Sequence, residues 1–359
     1  MVRRTCVRVG FLALVAAGPL GAQTNDAYWS VWTGREERLS ARAQALGGAA
    51  AALGDDSAAA ATNPALLATL RRSEVVGGYT SFGRSNFGTI GGGGLLKSGI
   101  ALGGYVRRPT TIRETDLNRR LEYELTEGGV MAAGKWGRVA GGVTVYASRL
   151  ALTAEALSQE AGGPLRAGGG AGSTRVGATA GLAWVDGPWT VGASFRTGSK
   201  FSADRTSTLD GLTDDAGSQV EVERPWLLAM GLSYQGVKVG VFGQVDVRKA
   251  GTIRTVANRG PSTGTYDAET GGVGAVRGGL QYALLLGGVS VVPRVGMTHL
   301  AEAGIRYAGP SSGETLLFAG TEARTRPTFG LGLVFRNGVS LDAAVSDEST
   351  VAVEGRIRF

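Results

Sequence analysis

Apolar residues alternate with polar or small residues in fourteen segments of this chain, and this alternation limits its fold more than any other feature. Between 237 and 248, Val239, Val241 and Val245 share one phase of the alternation, whereas Gln244 and Asp246 share the other. Successive side chains of a β-strand point to opposite faces, so the pattern predicts strands with one apolar face. The predicted strands lie near 73–82, 86–97, 99–108, 121–134, 138–150, 173–185, 189–201, 218–235, 237–253, 269–285, 288–306, 323–336, 338–346 and 350–359.

The connections between these segments alternate in length. Short connections rich in turn-forming residues lie at 97–99, 135–137, 186–188, 235–236, 286–288 and 337–338. The others are mostly long and polar, at 109–120, 151–172, 202–217, 254–268 and 307–322, with two short ones at 83–85 and 347–349. Membrane barrels have short turns at one end and longer loops at the other, whereas a soluble sandwich has no such requirement. The sequence therefore predicts an all-β fold, a 14-stranded antiparallel transmembrane β-barrel over residues 73–359.

The last predicted strand divides its faces as a barrel in a lipid bilayer requires. Val351, Val353, Ile357 and Phe359 share one phase, and Glu354 shares the other with three neighbouring residues, two of them arginines. Backbone groups in lipid must be paired, so the sheet must close on itself. The ending at Ile357 and Phe359 resembles the membrane-insertion signal of bacterial outer-membrane proteins, which predicts a bacterial outer-membrane location and the outer-membrane assembly machinery as a partner. The alternative is an ordinary edge strand.

The N-terminus has the order of a secretory signal peptide, predicted over residues 1–22. A basic region with Arg3, Arg4 and Arg8 precedes a short apolar run at 9–17, and small residues follow near the expected cleavage site. A short membrane anchor is the alternative. Cys6 is the one cysteine, so cleavage would leave a chain without disulfides. Cleavage would also reduce the formal net charge from +7 to +4, too little to indicate nucleic acid as a partner.

An alanine-rich stretch lies between this N-terminus and the first predicted strand, within a segment assigned to residues 23–72. Its Gly47-Gly48 pair permits tight turns, Asp55-Asp56 precede a run that can be helical, and Asn63-Pro64 is a strong helix-start signal. Fourteen strands enclose a wider lumen than eight, and an unfilled lumen would leak. We therefore expect short helices and turns that fill the barrel.

The stretch LGGAAAALGDDSAAAATNPALLA resembles the N-terminal signature of the FadL/TodX-type outer-membrane transport proteins and the related PorV/PorQ group. The positions that match are Gly47, Gly48, Ala49, Asp55, Asp56, Asn63, Pro64 and Ala65. The sequence departs from the pattern at Leu66, where glycine is frequent, and at Ala60 and Ala61, where aromatic residues are frequent. The motif covers about 25 residues; the strand count and the terminal phenylalanine extend the resemblance weakly over the chain.

The resemblance implies that residues 23–72 form a plug, gated by the matching residues, inside a barrel for passive uptake of hydrophobic small molecules such as long-chain fatty acids or hydrocarbons. It also implies an exit through a gap beside a kinked strand, for which Gly103-Gly104 is the candidate. The PorV/PorQ alternative implies a barrel that binds protein partners in secretion or surface attachment. The sequence leaves both open.

Residues with catalytic or metal-binding chemistry are sparse. His299 is the one histidine, and with no cysteine in the mature chain neither a zinc site nor any cofactor is predicted. No Ser, His and Asp set has a recognisable context, so the sequence does not predict an enzyme. The pairs Asp214-Asp215 and Glu221/Glu223 fit a solvated loop better than a calcium site, and Asp55-Asp56 fit helix caps or ion pairs better than catalytic acids.

Overall fold

A computed structural model describes residues 40–359 except 83–84, 97–98, 117–118, 161–162, 210–211, 260–261, 271–272, 302–304, 309–322 and 347–349. In the described part the strands, in chain order, are β1 (Glu74–Phe82), β2 (Ser85–Leu95), β3 (Ile100–Asp116), β4 (Arg119–Trp136), β5 (Val139–Glu160), β6 (Gly163–Asp186), β7 (Trp189–Arg196), β8 (Ser199–Leu209), β9 (Leu212–Arg224), β10 (Leu227–Gln235), β11 (Val239–Arg248), β12 (Gly251–Arg259), β13 (Ser262–Thr270), β14 (Val273–Tyr282), β15 (Leu284–Leu286), β16 (Val289–Leu300), β17 (Ile305–Ala308), β18 (Arg324–Phe335), β19 (Val339–Ser346) and β20 (Thr350–Arg358).

Fourteen of these strands form one closed antiparallel wall, which confirms the predicted barrel. The wall runs through β1 to β7, then β10, β11, β14, β16, β18, β19 and β20. β20 pairs with β1 from Glu74↔Arg358 to Ser81↔Val351, and this ladder closes the sheet. The short turns at one end contain Gly99, Gly137, Gly187, Gly287 and Gly338, all with positive φ, a conformation that favours glycine.

The prediction of long polar loops at the other end is wrong for four of the five connections. β3 and β4 extend as a hairpin through most of 109–120, and β5 and β6 do the same through 151–172. The other two, 202–217 and 254–268, form further paired strands, in β8 with β9 and in β12 with β13. Polar residues pair their backbones as well as apolar ones do, so the loss of apolar alternation marks the end of the lipid-facing band and not the end of the strand. Most of 307–322 lies outside the described residues.

The predicted strand 218–235 is divided in the structure. β9 ends at Arg224 and β10 begins at Leu227. Pro225 lies between them, and proline has no backbone N–H to donate to a ladder. The chain therefore breaks its pairing here and passes from the hairpin above the wall back into the wall.

The two faces of the wall follow the alternation read from the sequence. Outward residues such as Val241, Val353 and Ile357 are exposed, whereas the inward Glu354 and Arg356 are buried. An apolar outer face is suited to lipid, and the polar residues are placed inside the barrel.

Between residue 40 and the wall lie three short helices: α1 (Ala41–Ala45), α2 (Ser57–Ala60) and a 3₁₀-helix (Pro64–Thr69). Side chains of Ser40, Asp56 and Asn63 accept backbone N–H groups at their N-termini, as capping requires. None of the helices in the described residues is long and apolar enough to cross a membrane.

Candidate functional site

Residues 40–70, the inner segment, lie against the inward face of the wall. Leu46 approaches Gly279 of β14 and Gly296 of β16, and Leu67 approaches Gly93 and Gly103 of β2 and β3, on another part of the wall. A segment this short reaches strands so far apart around the barrel only by crossing its lumen. Nearly every residue of the inner segment is buried.

Glycines on the wall make room for the backbone of the inner segment. A Cβ atom at Gly142 of β5 would lie 2.6 Å from the carbonyl carbon of Pro64 and 2.7 Å from the nitrogen of Ala65. One at Gly279 would lie 2.6 Å from Cα of Leu46. Ordinary contacts of a Cβ atom begin near 3.4 Å, so these positions exclude even alanine unless the segment moves.

Asn63 joins two parts of the inner segment to the wall. Its Oδ1 accepts the backbone N–H of Ala65 at 3.2 Å, which caps the 3₁₀-helix. Its Nδ2 donates to the carbonyl oxygens of Ala51 at 2.8 Å and of Leu182 in β6 at 3.1 Å. The side chain is fully buried, so water could not take the place of these three hydrogen bonds if they were lost.

Gln244 of β11 holds the middle of the inner segment. Its Oε1 accepts the backbone N–H groups of Ala50 and Ala51, each at 2.7 Å. Its Nε2 donates to Asp246, which in turn accepts from Arg277 at 2.7 Å. The side chain of Gln244 is thus the acceptor for these two N–H groups, which in a helix would bind a carbonyl oxygen and in solution would bind water.

A set of ionisable groups, the junction cluster, surrounds the part of the inner segment that lies beside β1 and β20. Its members are Arg42, Asp55, Asp56, Glu74, Glu354, Arg356 and Arg358. Burial acts to raise the pKa of Asp56, but the guanidinium groups of Arg356 and Arg42 and the N–H of Ala59 outweigh it and hold that pKa below its usual value. Burial also lowers the pKa of Arg42. Asp56 is therefore a charged anchor between the segment and the wall.

A second buried cluster, the Glu127 cluster, lies farther from the short turns. Oε1 of Glu127 accepts from Tyr105 at 2.7 Å and from Arg107 at 2.9 Å, and Oε2 accepts from Arg196 and, at 3.0 Å, from Arg224. Ser148 of β5 also donates to Oε2 at 2.9 Å. One carboxylate thus joins β3, β4, β5, β7 and β9 across the lumen.

The structure brings the predicted plug residues together on the inner segment. Gly47 and Gly48 have φ of 70° and 82°, and Gly47 donates its N–H to Thr328 at 3.1 Å and accepts from Thr298. Asp55, with φ of 57°, pairs with Arg358 at 3.4 Å. Their location agrees with a plug, and their role in gating stays a prediction.

The candidate kink and the terminal residues lie in the wall. β3 pairs in continuous register with β2 and β4 through Gly103 and Gly104, and its pairing with β4 shifts between Arg107 and Thr110. A gap beside the two glycines stays a prediction. Ile357 and Phe359 are exposed at the outer face, and the N–H of Phe359 donates to the carbonyl of Ser73.

Sequence reasoning did not single out Glu74, Glu127 or Gln244 as site residues. Each is a polar residue on the inward face of its strand, and the alternation in the sequence shows which face that is. Which inward residues meet depends on strand register, which one sequence does not reveal. In the described residues no group of three or more His, Cys, Asp or Glu side chains is arranged so that it could hold a metal ion. The predicted signal peptide lies outside the described residues.

The barrel resembles solved structures of bacterial transporters at low sequence identity. The toluene transporter TodX of Pseudomonas putida has a TM-score of 0.63 and 13% identity, over 90% of this chain and 96% of that one. The toluene transporter TbuX of Ralstonia pickettii has a TM-score of 0.59 and 14% identity, over 90% of this chain and 99% of that one. These likenesses establish a shared fold. No protein-family model and no curated protein matches the chain.

Proposed function

We propose that this protein is a bacterial outer-membrane channel for the passive uptake of hydrophobic small molecules, of the kind that hydrocarbons represent. The observation that carries the proposal is a closed 14-stranded barrel whose lumen contains the inner segment, in a fold shared over nearly the full length with two toluene transporters. A related solved structure is described as a TodX monoaromatic hydrocarbon channel. A barrel suits this task because lipid-facing and lumen-facing residues are separated.

The contact between the inner segment and the wall supports an apolar permeant. The cluster there combines alanines and leucines of the segment with Tyr105, Met131 and Phe242 of the wall. Apolar surface of this kind is what binds hydrocarbons in proteins, since it offers dispersion contacts. We infer that the inner segment acts as a plug, and that its position sets the path of the permeant.

Uptake of toluene by cells provides the test. We would compare cells that express the full chain, a variant lacking residues 41–70, and an empty vector, with folded barrel measured by the mobility of unheated samples in SDS gels. We expect the full chain to increase toluene uptake over the vector at equal growth, with no added energy source. Uptake equal to that of the vector, with folded barrel in the membrane, would refute the channel.

Binding of a protein partner, the PorV/PorQ alternative, stays a prediction. It would be favoured if purification from the native membrane yielded a stoichiometric partner and toluene uptake did not change. Secretion or surface attachment would then replace uptake as the function.

A further inference from the structure

The inner segment contacts the wall where the barrel closes. β1 and β20 are the first and last strands of the wall, and eight residue pairs join them. Ala41 and Ala45 of α1 pack on Ala344 of β19 and Ala352 of β20. The junction cluster lies beside this contact, so three separate parts of the chain meet at one place.

Glu74, the first residue of β1, is the shared acceptor of the cluster. It is 1% exposed. Its Oε1 accepts the backbone N–H of Ser57, in the inner segment, and its Oε2 accepts from Arg358 of β20 at 3.0 Å. Oε2 also lies 3.9 Å from Nε of Arg356. One carboxylate therefore binds the segment and the opposite strand of the junction at the same time.

Arg356 and Glu354 of β20 complete the connection. Arg356 pairs with Asp56 of the inner segment at 3.1 Å and with Glu354 at 2.6 Å. Oε2 of Glu354 accepts the backbone N–H of Ala41 at 3.1 Å. Arg358 adds a bond to the carbonyl oxygen of Asp55 at 2.9 Å.

All of these groups except Arg358 are buried, and a buried charge is costly unless all of its partners are in place. With the inner segment displaced, Arg356 loses Asp56, Glu74 loses the N–H of Ser57, and Glu354 loses the N–H of Ala41. Separation of β1 from β20 removes Arg358 and Arg356 from Glu74. Displacement of the segment therefore weakens the contact of β1 with β20, and separation of these two strands weakens the seating of the segment.

We propose that the inner segment has a second function, which is to hold the first and last strands together, so that seating of the segment and closure of the barrel are one cooperative event. This goes beyond uptake and does not depend on it. Contacts elsewhere on the segment serve as the comparison: Gln244 binds the same segment but belongs to β11, whose neighbours β10 and β14 are not at the junction.

The test compares Asp56→Asn with Gln244→Leu in the full chain. The readout is the heating temperature at which the barrel loses its folded mobility in SDS gels. We expect Asp56→Asn to lower it by roughly 10 °C more than Gln244→Leu does, because the loss of one partner from a buried ion cluster is a large effect. Arg358→Gln, at a partly exposed position, is a milder variant of the same cluster and should also lower it.

Two engineered disulfides then distinguish an effect at the β1–β20 junction from a general gain in stability. Val75→Cys with Ile357→Cys joins directly paired outward residues of β1 and β20, and Met230→Cys with Val245→Cys joins a matched pair of β10 and β11. Paired residues of adjacent strands lie within the span of a disulfide. We expect the junction disulfide to restore most of the loss in Asp56→Asn, and the control disulfide to restore little.

Three results would overturn the proposal: equal losses in Asp56→Asn and Gln244→Leu, no recovery with the junction disulfide, or equal recovery with both disulfides. If Asp56→Asn yields no folded barrel, folding restored by the junction disulfide alone supports the proposal, and continued failure overturns it. Toluene uptake by the wild-type chain is a separate measurement, so failure of the channel and failure of this proposal are distinguishable.

Discussion

Gly142→Ala tests whether the inner segment is seated as tightly as its contacts indicate. The new Cβ would lie 2.6 Å from the carbonyl carbon of Pro64, so the segment or β5 must move by about 0.8 Å to reach an ordinary contact. Overpacking of this kind typically costs about 1–3 kcal/mol. The smaller entropy of the unfolded alanine chain offsets about 0.4–1 kcal/mol of that cost.

Gly141→Ala is the matched control. Gly141 is the preceding residue of β5 and points outward, where its nearest new contact is the ring of Trp136 at 3.4 Å. Both changes have the same effect on the unfolded chain, so their difference reports the contact with Pro64 and Ala65. We expect Gly142→Ala to be less stable than Gly141→Ala by about 1–3 kcal/mol.

Reversible unfolding by urea in lipid vesicles measures the two free energies, and release of a small entrapped dye measures leakage. We expect the Gly142→Ala barrel to release the dye faster, since displacement of the segment opens the lumen. If the two variants unfold at the same urea concentration and leak equally, the segment is not seated against β5 as described, and the packing argument is refuted.

Four further outcomes follow from the site. Glu127→Gln should destabilise the barrel by about 3–5 kcal/mol in urea unfolding, because three arginines lose their shared carboxylate. Asn63→Ala, tested beside Pro64→Ala, should increase dye leakage, since it removes three buried hydrogen bonds; an unchanged leak would contradict the plug. The pKa of Asp56 is lowered in the folded state, so its ion pairs stabilise the fold fully above the unfolded pKa of about 3.9. This contribution is lost as the pH falls through the folded pKa, so the stability difference between wild type and Asp56→Asn should shrink in acid. A difference that stays constant with pH would contradict the prediction. Gln44→Leu should stabilise the fold by about 1–3 kcal/mol, because neither polar atom of that buried amide has a hydrogen-bond partner among the described residues; a loss of stability would show that the amide has a partner.

The lipid-facing strands could be predicted from the sequence because alternation is a local property. The phase of β20, with Val353 outward and Glu354 inward, follows directly from the two-residue period. The same holds for β11. The extent of the hairpins above the wall could not be predicted in this way, because strands rich in polar residues lack a sustained apolar alternation.

The candidate site was only partly predictable. The capping pattern at Asp56 and Asn63 predicted short helices, and the lumen of a 14-stranded barrel required contents. That the side chain of Asn63 reaches β6 as well as its own helix required the structure.

The sequence by itself determined the lipid-facing parts of the strands, their inward and outward faces, and the small alanine-rich segment that could fit inside. Only the tertiary structure decided which residues meet there. Glu74 and Arg358, 284 residues apart, face each other because the sheet closes, and Asp56 meets Arg356 because the inner segment lies against that junction. Periodicity depends on neighbours along the chain, whereas ring closure and register depend on contacts between distant parts of it, which no local pattern encodes.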